Sequence, residues 1–227
     1  MRTALFFLAL TLASPAGADC LQSGLSCFGD LNTYDNSTDP VRALDCSRFH
    51  VDAGASFDHF QGLVSAHSMS TPGNTASATI TDLFVLTGPP PGTVVPIVVV
   101  GDFELQNVRQ PDAATWSQGT ILTPLIGGGP NPDPNQDFFS FIASAPGTET
   151  VSKRLQFAMN VKAGQGFEID ITAASQSSGN AGGYSHGRLS FEGLPPGSSV
   201  TSCKGFRQDQ PTPVLARSWG ALKGIYR

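Results

Sequence analysis

Gly166-Phe167-Glu168-Ile169-Asp170-Ile171-Thr172-Ala173 (GFEIDITA) is the stretch that decides how this chain folds. Phe167, Ile169 and Ile171 share one parity; Glu168, Asp170 and Thr172 share the other. In an extended strand successive side chains point to opposite faces, so this period of two predicts a sheet with one apolar and one wetted face. Leu189 and Phe191 repeat the pattern within Ser185–Glu192. Working outward, Phe57–His67, Ala76–Leu86, Val94–Leu105, Asp137–Ala143, Val151–Val161 and Ser199–Lys204 are further strand candidates, rich in Val, Ile, Thr and Phe. Each is bounded by Gly, Pro, Asn or Ser, the residues that turn a chain. Val94–Val100 (VVPIVVV) is the longest apolar run of this region, interrupted by Pro96. With no helical stripe between the strands, the expectation is an all-β, single-domain, jelly-roll-like antiparallel β-sandwich.

An internal echo supports that architecture. Asp82–Val95 (DLFVLTGPPPGTVV) and Gly187–Val200 (GRLSFEGLPPGSSV) both run from a strand through Gly and Pro-Pro-Gly into a hydrophobic restart. Gly88–Val95 lies over Gly193–Val200 without a gap. Prolines fix φ and withhold a donor, and the glycine that follows admits φ > 0, so each copy predicts a stiff corner between strands.

The start of the chain predicts export. Met1-Arg2 is a short positive start, Ala4–Ala13 (ALFFLALTLA) is unbroken and apolar, Pro15 ends it, and Ala16-Gly17-Ala18 offers small residues for cleavage before Asp19. That order is the one a secretory signal shows, and the apolar run is about half of what spans a bilayer. The expected organisation is a signal peptide over residues 1–18, a sandwich over 19–209, and a Pro-containing linker with a short tail over 210–227. Cys20, Cys27, Cys46 and Cys203 then face an oxidising compartment and predict two disulfides. Among the three possible connectivities, we expect Cys20–Cys27 as a local loop and Cys46–Cys203 as a long-range staple. The spacings fit no common zinc finger.

Composition excludes several classes of partner. The net charge is −5 with 14% charged residues and no basic cluster, which argues against nucleic acid, because phosphate binding needs concentrated Lys and Arg. No apolar run beyond the signal approaches a membrane span. The expected partner is an extracellular or envelope component, with no cofactor.

Chemistry-bearing motifs are few. His50, His59 and His67 fall close together, but an extended chain separates His59 from His67 by roughly 25 Å, so these read as surface histidines. Asp30, Asp35, Asn36 and Asp39 form an oxygen-rich segment that is a candidate calcium loop, as is Asn131–Asp137, although neither has an EF-hand spacing. No Gly-x-Ser-x-Gly, His-Glu-x-x-His or phosphate loop is present, and no catalytic residue is assigned. Glu104, Glu149, Glu168 and Glu192 are the carboxylates a glycoside hydrolase would have to pair. Trp116, Tyr34, Tyr184 and Tyr226 are the aromatics a glycan-binding module would expose, the many Phe being assigned to the core. In the tail, Trp219, Leu222 and Tyr226 are candidate recognition residues, spaced for one apolar face beyond the stiff Gln210–Pro213 linker.

The segment from Ala76 to Gly88, followed by Pro-Pro-Gly-Thr, together with Val161–Ile171, Ala173–Gly183 and Leu194-Pro195-Pro196-Gly197, resembles a β-sandwich domain of exported bacterial surface and matrix proteins, of the kind that often carry PEP-CTERM tails. The resemblance covers Phe57–Phe206 and implies a sandwich with an extracellular structural or adhesive role and no catalytic residue. The end of this chain has no Pro-Glu-Pro and no dense basic cluster, so the expectation is a secreted or periplasmic protein rather than one sorted by such a tail.

Overall fold

The computed structural model describes residues 20–28, 33–46, 51–70, 73–123 and 136–210. These form fourteen strands: β1 (Ser23–Phe28), β2 (Thr33–Ser37), β3 (Val41–Asp45), β4 (Val51–Asp58), β5 (Leu63–Ser70), β6 (Asn74–Thr87), β7 (Val94–Arg109), β8 (Ala114–Leu122), β9 (Gln136–Ile142), β10 (Gly147–Lys162), β11 (Gly166–Ser178), β12 (Ala181–Glu192), β13 (Ser199–Ser202) and β14 (Arg207–Asp209). They build two antiparallel sheets packed face to face, a β-sandwich. The six-stranded sheet runs β10-β7-β12-β5-β4-β3, and the eight-stranded sheet runs β14-β13-β6-β11-β8-β9, with β1 paired to β6 and β2 to β1.

The alternation that announced β11 sits at the heart of the larger sheet. Phe167, Ile169, Ile171 and Ala173 are buried against the facing sheet, with β6 on one side and β8 on the other. The strand runs on to Ser178, so most of the Gly/Ser/Ala-rich stretch beyond Ala173 belongs to β11, and at Gly179, with φ 67°, the chain turns and crosses to β12 in the facing sheet. Period-two burial also holds along the whole of β6. Pro96 is tolerated in β7 because it lies past the last β12 pair, Glu192↔Val98, where only β10 flanks it.

The two Pro-Pro-Gly segments are equivalent corners. In one, Thr93 N–H donates to Pro90 O at 3.1 Å; in the other, Ser198 N–H donates to Pro195 O at 3.1 Å. The first carries the chain from β6 to β7, the second from β12 back to β13, so each crosses between sheets, in opposite senses. They lie side by side: a Cβ on Gly88, whose φ is 108°, would stand 2.7 Å from Ser198 Cα.

Two aromatic arrangements fix the sandwich interior. Phe84, Phe167, Phe191 and Phe206 meet with centroids 5.2 to 6.0 Å apart, mostly edge-to-face. Phe103 instead fills space left by three glycines: a Cβ at Gly101, Gly119 or Gly187 would stand 2.8, 2.4 or 2.3 Å from its ring.

Several expectations require correction. Phe57–His67 is a hairpin rather than one strand, turning through residues 59–62 with Gly62 at φ 65°. Strands β1, β2, β3, β8 and β14 carried no clear sequence signal, because stretches such as Thr33–Ser37 (TYDNS) are built from turn-forming residues. The disulfides are Cys20–Cys203 and Cys27–Cys46, not Cys20–Cys27 and Cys46–Cys203. The reason is geometric. Cys27 lies on β1 with its side chain buried in the core, and the extended chain back to Cys20 keeps those two apart. Strand β6 gives its outer edge to β1 along Thr75–Thr79 and to β13 along Phe84–Thr87. Cys20 and Cys203 meet across the gap between these two partners.

Candidate functional site

That gap in the edge of β6 holds a cluster absent from the sequence reading. Asp82 occupies an inward-facing position between Ile80 and Phe84 and is fully buried. His59, from the β4–β5 turn, reaches it with Nδ1 at 3.1 Å from Asp82 Oδ2. On the far side of the ring, Ser23 Oγ of β1 lies 2.9 Å from His59 Nε2. Lys204, in the β13–β14 turn, donates from Nζ to Ser23 Oγ at 2.9 Å and approaches His59 Nε2 at 3.4 Å. All four residues are buried, at most 6% exposed.

The protons follow from the partners. Asp82 accepts from His59 and, through Oδ1, from Leu83 N–H at 2.8 Å, so the imidazole proton sits on Nδ1 and leaves Nε2 as acceptor. Ser23 Oγ accepts from Lys204 and from Thr81 N–H at 3.1 Å, and its own proton is directed to His59 Nε2 at 2.9 Å and Thr81 O at 3.3 Å. The order Ser–His–Asp is that of a nucleophilic triad. Here both lone pairs of the hydroxyl are engaged, one by Lys204 Nζ and one by Thr81 N–H. The arrangement links the buried Asp82 carboxylate to the buried Lys204 through the His59 ring and the Ser23 hydroxyl. Burial pushes the Lys204 ammonium below its ordinary pKa, and the Asp82 charge opposes that shift. The signal for this cluster was present in the sequence: Asp82 falls on the apolar parity of β6, among Ala76, Ala78, Ile80, Phe84 and Leu86. His59 is therefore buried, correcting its reading as a surface histidine.

The cluster anchors two turns, and together these build a cleft. The β4–β5 turn is held by His59, by His59 N–H to Pro40 O at 2.8 Å, and by Gly62 O accepting from Leu189 N–H at 2.8 Å. The β13–β14 turn is held by Lys204 and by the Cys20–Cys203 bond. Between them lies a half-open cleft of about 380 Å³, with Phe60 and Gln61 from the first turn, Phe206, Arg207 and Gln208 from the second, and Asp102, Arg188, Leu189 and Ser190 from β7 and β12. Beyond the end of β5, Gln208 takes the place of a strand against β12: Phe191 N–H donates to its Oε1 at 2.9 Å, and its Nε2 donates to Phe191 O at 2.5 Å. Phe60 is 55% exposed at the rim, its ring resting on Gly205, where a Cβ would stand 2.5 Å from Cε1. Assigning the many Phe to the core left this residue and Phe138, which is 62% exposed, without a place among the candidate aromatics.

The remaining candidates do not converge. The proposed calcium segment is largely strand β2, where Asp35 and Asn36 point to opposite faces, and Asp35 and Asp39 are spent on Arg42 at 2.7 and 3.6 Å. Asp30 and His50 lie outside the described residues, as do Asn131–Asn135. Asp137 lies on β9 and accepts from Gln156 N–H at 2.9 Å. His67 stays at the surface, paired with Asp52 at 3.1 Å and stacked beside Tyr184 on the outer face of the smaller sheet. Among the described residues no three His, Cys, Asp or Glu side chains gather to hold a metal. Trp116 and Tyr34 share the outer face of the larger sheet but are separated by β11, β6 and β1, and the Trp116 indole N–H is occupied by Gln176. Glu168 lies on the outer face of the larger sheet and Glu104 and Glu192 on that of the smaller, while Glu149 is bound to the backbone at Ser144 and Ala145, so no acid pair forms among the four. Residues 1–18 and the tail residues Trp219, Leu222 and Tyr226 lie outside the described residues, as does the linker beyond Gln210. No helix among the described residues is long and apolar enough to cross a membrane.

Comparison with protein-family models, curated proteins and solved structures yields no match for the chain.

Proposed function

We propose that this chain is an exported, non-enzymatic β-sandwich serving as a structural or adhesive component of the cell envelope or extracellular matrix. The observation that carries the reading is the sealing of the N-terminal segment. Cys20–Cys203 and Cys27–Cys46 tie β1 to both sheets, and the Ser23–His59–Asp82–Lys204 cluster locks the same seam. Disulfides of this kind fit an oxidising compartment, in agreement with the signal-like residues 1–18. The resemblance to exported surface and matrix domains points the same way. In this reading the Ser–His–Asp geometry serves cohesion rather than turnover, since Ser23 is fully buried and its hydroxyl saturated.

The test has two arms. Purified, oxidised protein is mixed with extracellular material from its source and sedimented; retention in the pellet is expected, and full recovery in the supernatant overturns the adhesive role. The protein is also treated with a fluorophosphonate probe. No labelling is expected, and stoichiometric labelling that Ser23→Ala abolishes would replace this reading with a serine hydrolase.

A further inference from the structure

We propose that the cleft between the β4–β5 and β13–β14 turns is a carbohydrate site that takes one pyranose ring of an extracellular polysaccharide, stacked on Phe60 and hydrogen-bonded by Arg188 and Asp102. The inference rests on the adhesive reading and names the ligand class of that adhesion.

A pyranose is amphiphilic in a particular way: its C–H bonds form apolar faces and its hydroxyls form a polar rim of mixed donors and acceptors. The cleft has the complementary distribution. Leu189 and Phe206 contribute apolar floor, and Phe60 offers a large aromatic surface at the rim. Phe60 is held in place rather than swinging free, because its ring occupies the space where Gly205 lacks a Cβ. An aromatic body fixed beside polar groups is the composition that recognises such a ring.

The polar groups divide into those already used and those available. Gln61 Nε2 is tied to Asp58 Oδ2 at 2.8 Å, and the Gln208 amide is tied to Phe191. Arg188, by contrast, has no ion pair among the described residues and is exposed. It faces Asp102 directly across the β7–β12 ladder, which places a planar donor fork beside a planar acceptor. Vicinal hydroxyls, each both donor and acceptor, match such a pair. Arg207 adds donors while its Nε is held by both oxygens of Asp209 at 3.0 and 2.9 Å. Because Asp102 and Asp209 balance the two arginines, the cleft is not a net cationic site of the kind a phosphate would select.

Size and openness agree. A volume of about 380 Å³ lies in the range of small-ligand sites, and a half-open shape leaves room for a polymer to continue at either end. The floor is rigid as well, since His59 and Lys204 anchor both turns from beneath. Binding therefore orders little of the protein, which favours affinity.

The test uses the full oxidised protein, titrated calorimetrically with two probes: a neutral glucan hexasaccharide and a hexagalacturonate. Binding of one or both is expected. Phe60→Ala should weaken it at least tenfold, Phe60→Tyr should retain it, and Trp116→Ala on the far sheet should leave it unchanged. Arg188→Ala should weaken the uronate at least tenfold; if only the neutral glucan binds, the same loss should follow Asp102→Asn. Failure of both probes to bind overturns the proposal, as does binding that survives Phe60→Ala together with Arg188→Ala. If the double variant is still retained by extracellular material, this site is refuted while the adhesive role stands; if retention is lost in both the variant and the wild type, the adhesive role itself fails. Melting temperatures of the Phe60, Arg188 and Asp102 variants, whose altered side chains are exposed, should match the wild type and so separate loss of binding from loss of fold.

Discussion

Replacing Asp82 with Ala tests the cluster on which both turns depend. The substitution removes the carboxylate bonded to His59 and leaves Lys204 buried, with Ser23 Oγ and Ser37 O as its oxygen partners among the described residues. It also strands the Leu83 N–H that Asp82 Oδ1 accepts. Breaking a buried charge pair by removing one partner costs about 3–5 kcal/mol. For a domain of this size about 2–4 °C of melting temperature is lost per kcal/mol, so the expected drop is about 6–20 °C. Lys204→Met alone should cost less, because Asp82 keeps two donors. Asp82→Ala combined with Lys204→Met should regain part of the loss, with a coupling of about 1–3 kcal/mol in the double-mutant cycle. Thermal unfolding of the oxidised protein, followed by circular dichroism at neutral pH, measures all three variants. A drop of under about 1 kcal/mol for Asp82→Ala, or strict additivity in the double variant, would refute the view of this cluster as one charge-balanced unit.

Other consequences are as direct. Cys203 is exposed whereas Cys27 is 2% exposed; mild reductant followed by alkylation and mass spectrometry should show Cys20–Cys203 opening first. That bond closes the longer loop, with a separation of 183 against 19, so its removal should cost about 5 kcal/mol against about 3 for Cys27–Cys46 in the chain-entropy account. Gly187→Ala, which drives a methyl group into the Phe103 ring, should destabilise by about 1–3 kcal/mol, and Phe103→Leu in the same chain should restore part of it on chemical denaturation. Burial raises the Asp170 carboxyl above its ordinary pKa, a hydrogen bond from Thr81 opposing it, and burial together with the Asp170 charge raises Glu168. Both groups thus bind a proton more tightly when folded, so their contribution to stability grows on acidification and is lost as pH rises through the folded values. Asp170→Asn should shrink that acid-side gain in a melting-temperature profile; an unchanged profile would refute the assignment.

What the sequence alone determined is what neighbours along the chain encode. The period-two alternation of Phe167, Ile169 and Ile171 fixed strand and face together, because pleating makes side-chain direction a property of adjacent residues. The paired Gly-x-Pro-Pro-Gly segments fixed two corners, because φ limits are equally local. Strands without that alternation, such as β2, and the hairpin turn at His59–Gly62 were hidden, since their polar residues suit turns and edge strands alike. Only the tertiary structure decided which cysteines meet, that Asp82 joins His59, Ser23 and Lys204 in one cluster, and that Phe60 and Arg188 line one cleft. These groups lie as far apart in sequence as Ser23 and Lys204, with a separation of 181, and sheet order brings them together. Asp82 shows both limits at once: its position on the apolar parity of β6 was readable as an anomaly, while the partners that stabilise it were set by the gap that β1 and β13 leave along one edge of that strand.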